Sequence, residues 1–319
     1  MKGLAGAFVA LLLLTTLPTP IPAQAAGEVS DYTITVDGQT AHGLVATPAG
    51  TPLGLVVVAH GYTHTAESHR GHLSELAARG FVAVAMDYRG DIDGFPLSAG
   101  AADTMAATGD LAATFGFDAG ILYSVSMGTA VAGIVLAEMP GFFTYWVDNE
   151  GLAMLHETWA GASALEGSGN PTAVNAKHGI EAETGGTPAT HLEAYLARSA
   201  VYRAAEFAGL QGVILTHGLN DGLVPYNQGR EMQAALAAQG IATDFYTAIR
   251  GNEGGEGTTL TGYGGVNVDG VAGHGTESND AHTLTALSFD LLYRLVEGDA
   301  SVVPAGREVV VDRDFGVLP

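Results

Sequence analysis

No cysteine occurs in the 319-residue chain. That excludes a thiol nucleophile, an iron–sulfur centre, a thiolate zinc site and a disulfide framework. Lysine is nearly missing as well: Lys2 and Lys177 stand against ten arginines. Twelve basic residues face 34 acidic ones, a formal net charge of −22. A chain so short of cations lacks the surface that DNA, RNA or anionic lipid attracts, so no nucleic-acid partner is expected. Charged residues make up only 14% of the chain and hydrophobic ones 47%, which is not the composition of a disordered protein. No apolar run reaches the roughly 20 residues that a membrane-spanning helix needs.

One shorter apolar run opens the chain. Lys2 precedes an apolar stretch from Leu4 to Leu14, then come Pro18, Pro20 and Pro22, then Ala23-Gln24-Ala25. A positive start, a short apolar core and an A-x-A cleavage site form the pattern of a secretory signal peptide. Residues 1–25 are therefore expected to be removed, leaving a secreted protein with no membrane anchor. The main domain is expected over 26–298, with 299–319 as a tail.

Beyond the leader, strand and helix patterns alternate. Tyr32 to Val36 alternates in polarity, Asp37-Gly38 marks a tight turn, and Ala41 to Ala46 runs back, which predicts a hairpin. Leu53 to Ala59 and Phe81 to Met86 are continuous apolar runs, as expected of strands buried on both faces. Shorter runs at 121–123, 142–147, 212–216 and 243–248 predict further strands. Helices are expected over 69–79, 101–115, 128–138, 228–238 and 281–297. This order implies a mostly parallel sheet covered by helices on both faces. Two stretches break the rhythm. Residues 150–205 show no strand pattern but hold helical pieces, notably His191 to Phe207, and read as a lid inserted after the sixth strand. Residues 251–273 are glycine-rich and read as a loop insert.

Chemistry gathers at the strand ends. Ser124-Val125-Ser126-Met127-Gly128 joins a strand to a helix of small residues. A nucleophile elbow needs this arrangement, because a serine on a sharp strained turn tolerates only small neighbours two positions either side. Ser126 is the expected nucleophile, with Ser124 where glycine is usual. His60-Gly61-Tyr62-Thr63 follows an earlier strand, so the Tyr62 and Met127 amides are the expected oxyanion hole. Asp221 follows the strand at 212–216 and is the expected orienting acid, with Asp148 its rival. His274, in the loop before the last helix, is the expected general base. His282 is the alternative. Asp91, Asp93 and Asp148-Asn149-Glu150 read as solvated turns rather than a calcium site. His60, His64, His69 and His72 lack a metal-site pattern, so no metal is expected.

The order Ser126, Asp221, His274 and the motifs around these residues closely resemble the α/β-hydrolase family over residues 32–298, with two departures: Ser124 stands at the elbow glycine, and 53 residues separate Asp221 from His274. The segments His60 to Thr63 and Arg79 to Val84 are similar to bacterial esterases and cutinase-like polyester hydrolases. The run His217 to Pro225 is similar to the prolyl-oligopeptidase and dienelactone-hydrolase branches. The resemblance implies an α/β-hydrolase fold and a secreted, cofactor-free serine hydrolase acting on an ester-containing small molecule or polymer such as a lipid or polyester. The alternatives are a prolyl-oligopeptidase-type peptidase without a propeller, and a non-catalytic binding protein on the same fold.

Overall fold

The computed structural model describes residues 28–90, 94–167, 171–249, 274 and 282–311. The signal-peptide reading of 1–25, the glycine-rich insert at 251–273, Asp91, Asp93 and residues 312–319 of the tail lie outside the described residues.

The hairpin forms β1 (Glu28–Val36) and β2 (Gln39–Thr47), paired antiparallel with Val36 opposite Gln39. Asp37 and Gly38 both take positive φ, 52° and 77°, as a type I′ turn requires. The two apolar runs form β3 (Gly54–Ala59) and β4 (Phe81–Met86). The remaining strands are β5 (Gly120–Val125), β6 (Phe143–Asn149), β7 (Gly212–Gly218), β8 (Thr243–Ala248) and the edge strand β9 (Glu308–Val311). Together they make one sheet in the order β1-β2-β4-β3-β5-β6-β7-β8-β9. β2 runs antiparallel to β1 and β4, and every other neighbouring pair is parallel.

The helices are α1 (Arg70–Ala78), α2 (Leu97–Phe115), α3 (Gly128–Glu138), α4 (Leu155–Glu166), α5 (Pro171–Thr184), α6 (Pro188–Ala197), α7 (Ala200–Arg203), α8 (Asn227–Ala238) and α9 (Thr283–Val296). Two cores result, one on each face of the sheet. Leu73 and Leu76 of α1 and Leu284, Leu287 and Leu291 of α9 pack with Val56 and Val58. Leu97 and Leu111 of α2, Val131 and Val135 of α3 and Met232 of α8 pack on the other face, with Leu55 and Val57. Alternate residues of β3 thus enter opposite cores, which is why its sequence is apolar at every position.

Between β6 and β7 the described residues hold the helices α4 to α7 and no strand. The single helix expected over His191 to Phe207 is instead broken. Ser199 is extended (φ −110°, ψ 112°), its hydroxyl donating to the Tyr195 carbonyl at 2.8 Å and accepting the Leu155 amide at 2.9 Å. A serine that satisfies backbone groups with its side chain offers the chain an alternative to helix, and here it ends α6 before α7 starts. Among the described residues, no helix is long and apolar enough to cross a membrane.

Candidate active site

Ser126 stands between β5 and α3 with φ 54°, a left-handed conformation that costs a non-glycine residue energy. Its own backbone bonds hold it there. Its N–H donates to the Asn149 carbonyl at 3.0 Å, and its carbonyl accepts the amides of Leu152 at 3.0 Å and Thr129 at 3.1 Å. Gly128 lets the start of α3 come close to β3: a Cβ there would lie 2.2 Å from the Ala59 carbonyl oxygen. Small size two residues after Ser126 is thus a steric necessity in this chain.

Ser124, two residues before Ser126, is fully buried. Its hydroxyl accepts the Trp146 indole N–H at 2.8 Å and donates to Asp148 Oδ1 at 2.6 Å. Thr129 Oγ1, from the first turn of α3, donates to the same carboxylate oxygen. Asp148 therefore ties β5, β6 and α3 together beneath the elbow. Burial pushes its carboxyl up to about 6, against the opposing bonds from Ser124 and Thr129 and the charge of His217.

Asp221 lies in the loop after β7. Its Oδ1 accepts the amides of Leu223 at 2.8 Å and Val224 at 2.9 Å, which fixes the carboxylate plane. Its Oδ2 lies 2.7 Å from Nδ1 of His274, whose Nε2 lies 3.0 Å from Ser126 Oγ. A carboxylate can only accept, so Nδ1 carries the imidazole proton and Nε2 is left to accept from the serine hydroxyl. Asp221 and His274 are buried and Ser126 is half-buried. Burial works against the charge of Asp221. The charge of His274, with the bonds from His217 and His274, outweighs it and holds the carboxyl below its ordinary range. His217 Nε2 donates to the Val224 carbonyl at 2.9 Å and lies 3.5 Å from Asp221 Oδ2.

No family model matches the chain, and no curated protein matches it. Solved structures do. Puromycin hydrolase aligns with a TM-score of 0.60 at 18% identity, over 92% of this chain and 42% of that one. The acylaminoacyl peptidase of Pyrococcus horikoshii aligns with a TM-score of 0.55 at 14% identity, over 70% of this chain. A hyperthermophilic esterase from Pyrobaculum calidifontis aligns with a TM-score of 0.54 at 21% identity, over 70% of this chain and 75% of that one. The chain has the α/β-hydrolase fold. It spans only 37% of the length of the acylaminoacyl peptidase.

Within this hydrolase fold, the other sequence-nominated residues separate. Tyr62 is half-buried and its ring packs on Phe95 with centroids 4.6 Å apart. Met127 is buried in the turn directly before α3. The rival acid Asp148 is engaged under the elbow rather than with His274. His282 caps α9, its Nδ1 accepting the Leu284 amide at 3.3 Å. Burial, then the charge of His274, pushes it down to about 4. Three of the four early histidines lie in aromatic contacts. His60 stacks on Tyr88 at 3.9 Å, and His72 stacks on Phe289 at 3.4 Å in a buried aromatic cluster with His69.

The reading of Asp148-Asn149-Glu150 as solvated turns is overturned: all three are buried, Glu150 completely. β6 runs two residues further than expected, and Glu150 follows it directly with φ 51°. The signal that nominated Asp221, an acid just past the carboxyl end of a buried strand, applies equally to Glu150. Among the described residues, the only group spaced to hold a metal ion is Glu150, Asp221 and His274. Both ring nitrogens of His274 already face Asp221 and Ser126, so a cation drawing on that ring would compete with those bonds.

Proposed function

We propose that the protein is a secreted serine hydrolase that cleaves carboxylic esters through an acyl-enzyme. The observation that carries this reading is the unbroken line from Asp221 Oδ2 through the His274 ring to Ser126 Oγ, at 2.7 and 3.0 Å. Ser126 Oγ attacks the ester carbonyl carbon while His274 Nε2 takes its proton. The carbon–oxygen bond to the alcohol then breaks as His274 returns that proton to the leaving oxygen. Water, deprotonated by the same nitrogen, attacks the acyl-serine and releases the acid. Asp221 keeps the tautomer and stabilises the imidazolium. The Tyr62 and Met127 amides bind the oxyanion, helped by the N-terminal dipole of the 11-residue α3.

The substrate class, esters up to lipids and polyesters, rests on the sequence resemblance to bacterial esterases, and secretion rests on the leader at 1–25. A peptidase reading draws support from the structural likeness to acylaminoacyl peptidases. Assays on p-nitrophenyl esters of rising chain length, beside peptide anilides, separate the two. Organophosphate labelling should fall on Ser126 and vanish in Ser126→Ala along with ester turnover. An Ser126→Ala protein with full activity defeats the proposal.

A further inference from the structure

The turn after β6 grips the nucleophile's backbone. Asn149 accepts the Ser126 N–H and Leu152 donates to the Ser126 carbonyl, both at 3.0 Å. Between them sits Glu150, whose N–H donates to the Thr216 carbonyl of β7 at 2.8 Å. Glu150 has no solvent exposure and a left-handed φ of 51°. A buried carboxylate and a strained non-glycine backbone are each costly, and both fall on one residue next to Ser126. One Glu150 carboxylate oxygen lies within 4.8 Å of both a carboxylate oxygen of Asp221 and a ring nitrogen of His274.

We propose that Glu150 is a second positioning carboxylate of this site, acting with Asp221 to hold the His274 imidazole and to stabilise its protonated form. This rests on the serine-hydrolase reading above. Two anions at this range favour an imidazolium more than one does, because Coulomb energy in a buried site is weakly screened. The titratable groups around the imidazole include Asp221 and His217 from β7 and its following loop, Glu150 after β6, Ser126 after β5, and His282 at the start of α9. His282 is neutral at pH 7 and does not oppose the pair. His217 offers the competing explanation, since the Glu150 charge also bears on it. In that case Glu150 would only steady the β7 end, and the protonation of His274 would not depend on it.

The test is the pH profile of kcat/KM for the full-length enzyme on a p-nitrophenyl ester, in Glu150→Gln, Glu150→Asp and Asp221→Asn, and with Glu150→Gln combined with Asp221→Asn. Loss of the second anion should move the acidic limb of Glu150→Gln down by about one pH unit and lower the plateau about 10-fold. Glu150→Asp should keep the limb in place. Glu150→Gln should cost more in the Asp221→Asn background, where Glu150 is the only acid left. A folded Glu150→Gln enzyme with an unmoved limb and kcat/KM within about 2-fold of the parent overturns the proposal. Should the amide fail to fold, Glu150→Met removes the charge at similar volume and is read by the same limb. Organophosphate labelling of Ser126 runs in parallel. A parent enzyme that does not label defeats the serine-hydrolase reading itself, whereas labelling with an unmoved limb defeats only the role of Glu150.

Discussion

Replacing Ser124 by glycine would restore the commoner elbow motif, yet the structure predicts that it weakens this protein. The Ser124 hydroxyl joins Trp146 N–H, at 2.8 Å, to Asp148, at 2.6 Å, in a site without solvent. Glycine leaves the buried indole N–H without this acceptor and removes one donor from the Asp148 carboxylate. A bond to a charged group contributes about 1.5–3 kcal/mol and an orphaned buried donor costs about 1–3 kcal/mol. A glycine inside a strand adds about 0.5–1 kcal/mol of backbone entropy. Allowing for partial relaxation, the loss should be about 3 kcal/mol, which for a chain of this size lowers Tm by roughly 5 °C.

The pH dependence sharpens the test. Burial raises the Asp148 carboxyl from 3.8 to about 6, so the folded protein binds that proton more tightly than the unfolded chain does. The resulting stability is fully present below about 4 and is lost as pH rises through about 6. Above pH 6 the carboxylate is charged and depends most on the Ser124 donor. The loss in Ser124→Gly, measured by urea unfolding, should therefore be larger at pH 8 than at pH 5, by about 1 kcal/mol. A loss under about 0.5 kcal/mol, or one of equal size at both pH values, would refute the reasoning, because it would mean that the hydroxyl does not serve a charged Asp148.

Two further outcomes follow from the same geometry. Asp221→Asn keeps an oxygen able to accept the Leu223 and Val224 amides but presents an amide in place of the anion facing His274. Ester turnover should fall about 10⁴-fold while circular dichroism and Tm stay near the parent's. Gly128→Ala puts a methyl 2.2 Å from the Ala59 carbonyl oxygen. Thermal unfolding should show a loss of about 3 kcal/mol, at the upper end of overpacking effects, and turnover should fall because the elbow must shift.

Much of the fold was legible because its signals are steric and local. β3 and β4 are apolar at every position since both faces are covered, and the Asp37-Gly38 turn needs two positive φ values that few other pairs supply. The failures have physical causes as well. β5 and β6 extend beyond their apolar runs because the polar Ser124, Asp148 and Asn149 belong to them. Polar residues enter a buried strand when they satisfy one another, as Ser124 does Asp148 and as Thr216 Oγ1 does Asn149 Oδ1 at 2.7 Å. Such pairs join positions more than 20 residues apart, so no local window reveals them. The same blindness made Glu150 look like a solvated turn. α2 starts at Leu97, four residues before its expected start, because the chain enters it directly from Pro96, which needs no N–H partner there.

The candidate site divides along the same line. Each strand end could nominate a residue, but only strand order decides which nominees meet. β5, β6 and β7 lie side by side and parallel, with Ser124 opposite Asp148 and Asn149 opposite Thr216. The residues that follow these strands, Ser126, Glu150 and Asp221, therefore emerge at one edge as immediate neighbours. β8 comes next in the sheet, and His274, which lies between β8 and α9 in the chain, has its ring against Asp221 and Ser126 at the ends of β7 and β5. One strand inserted between β5 and β7 widens the gap by about 4.8 Å, and that gap is β6. The acid best placed to fill it directly follows β6, which is why a carboxylate at position 150 reaches both His274 and Asp221 while Asp148, two residues earlier and within the strand, is spent beneath the elbow.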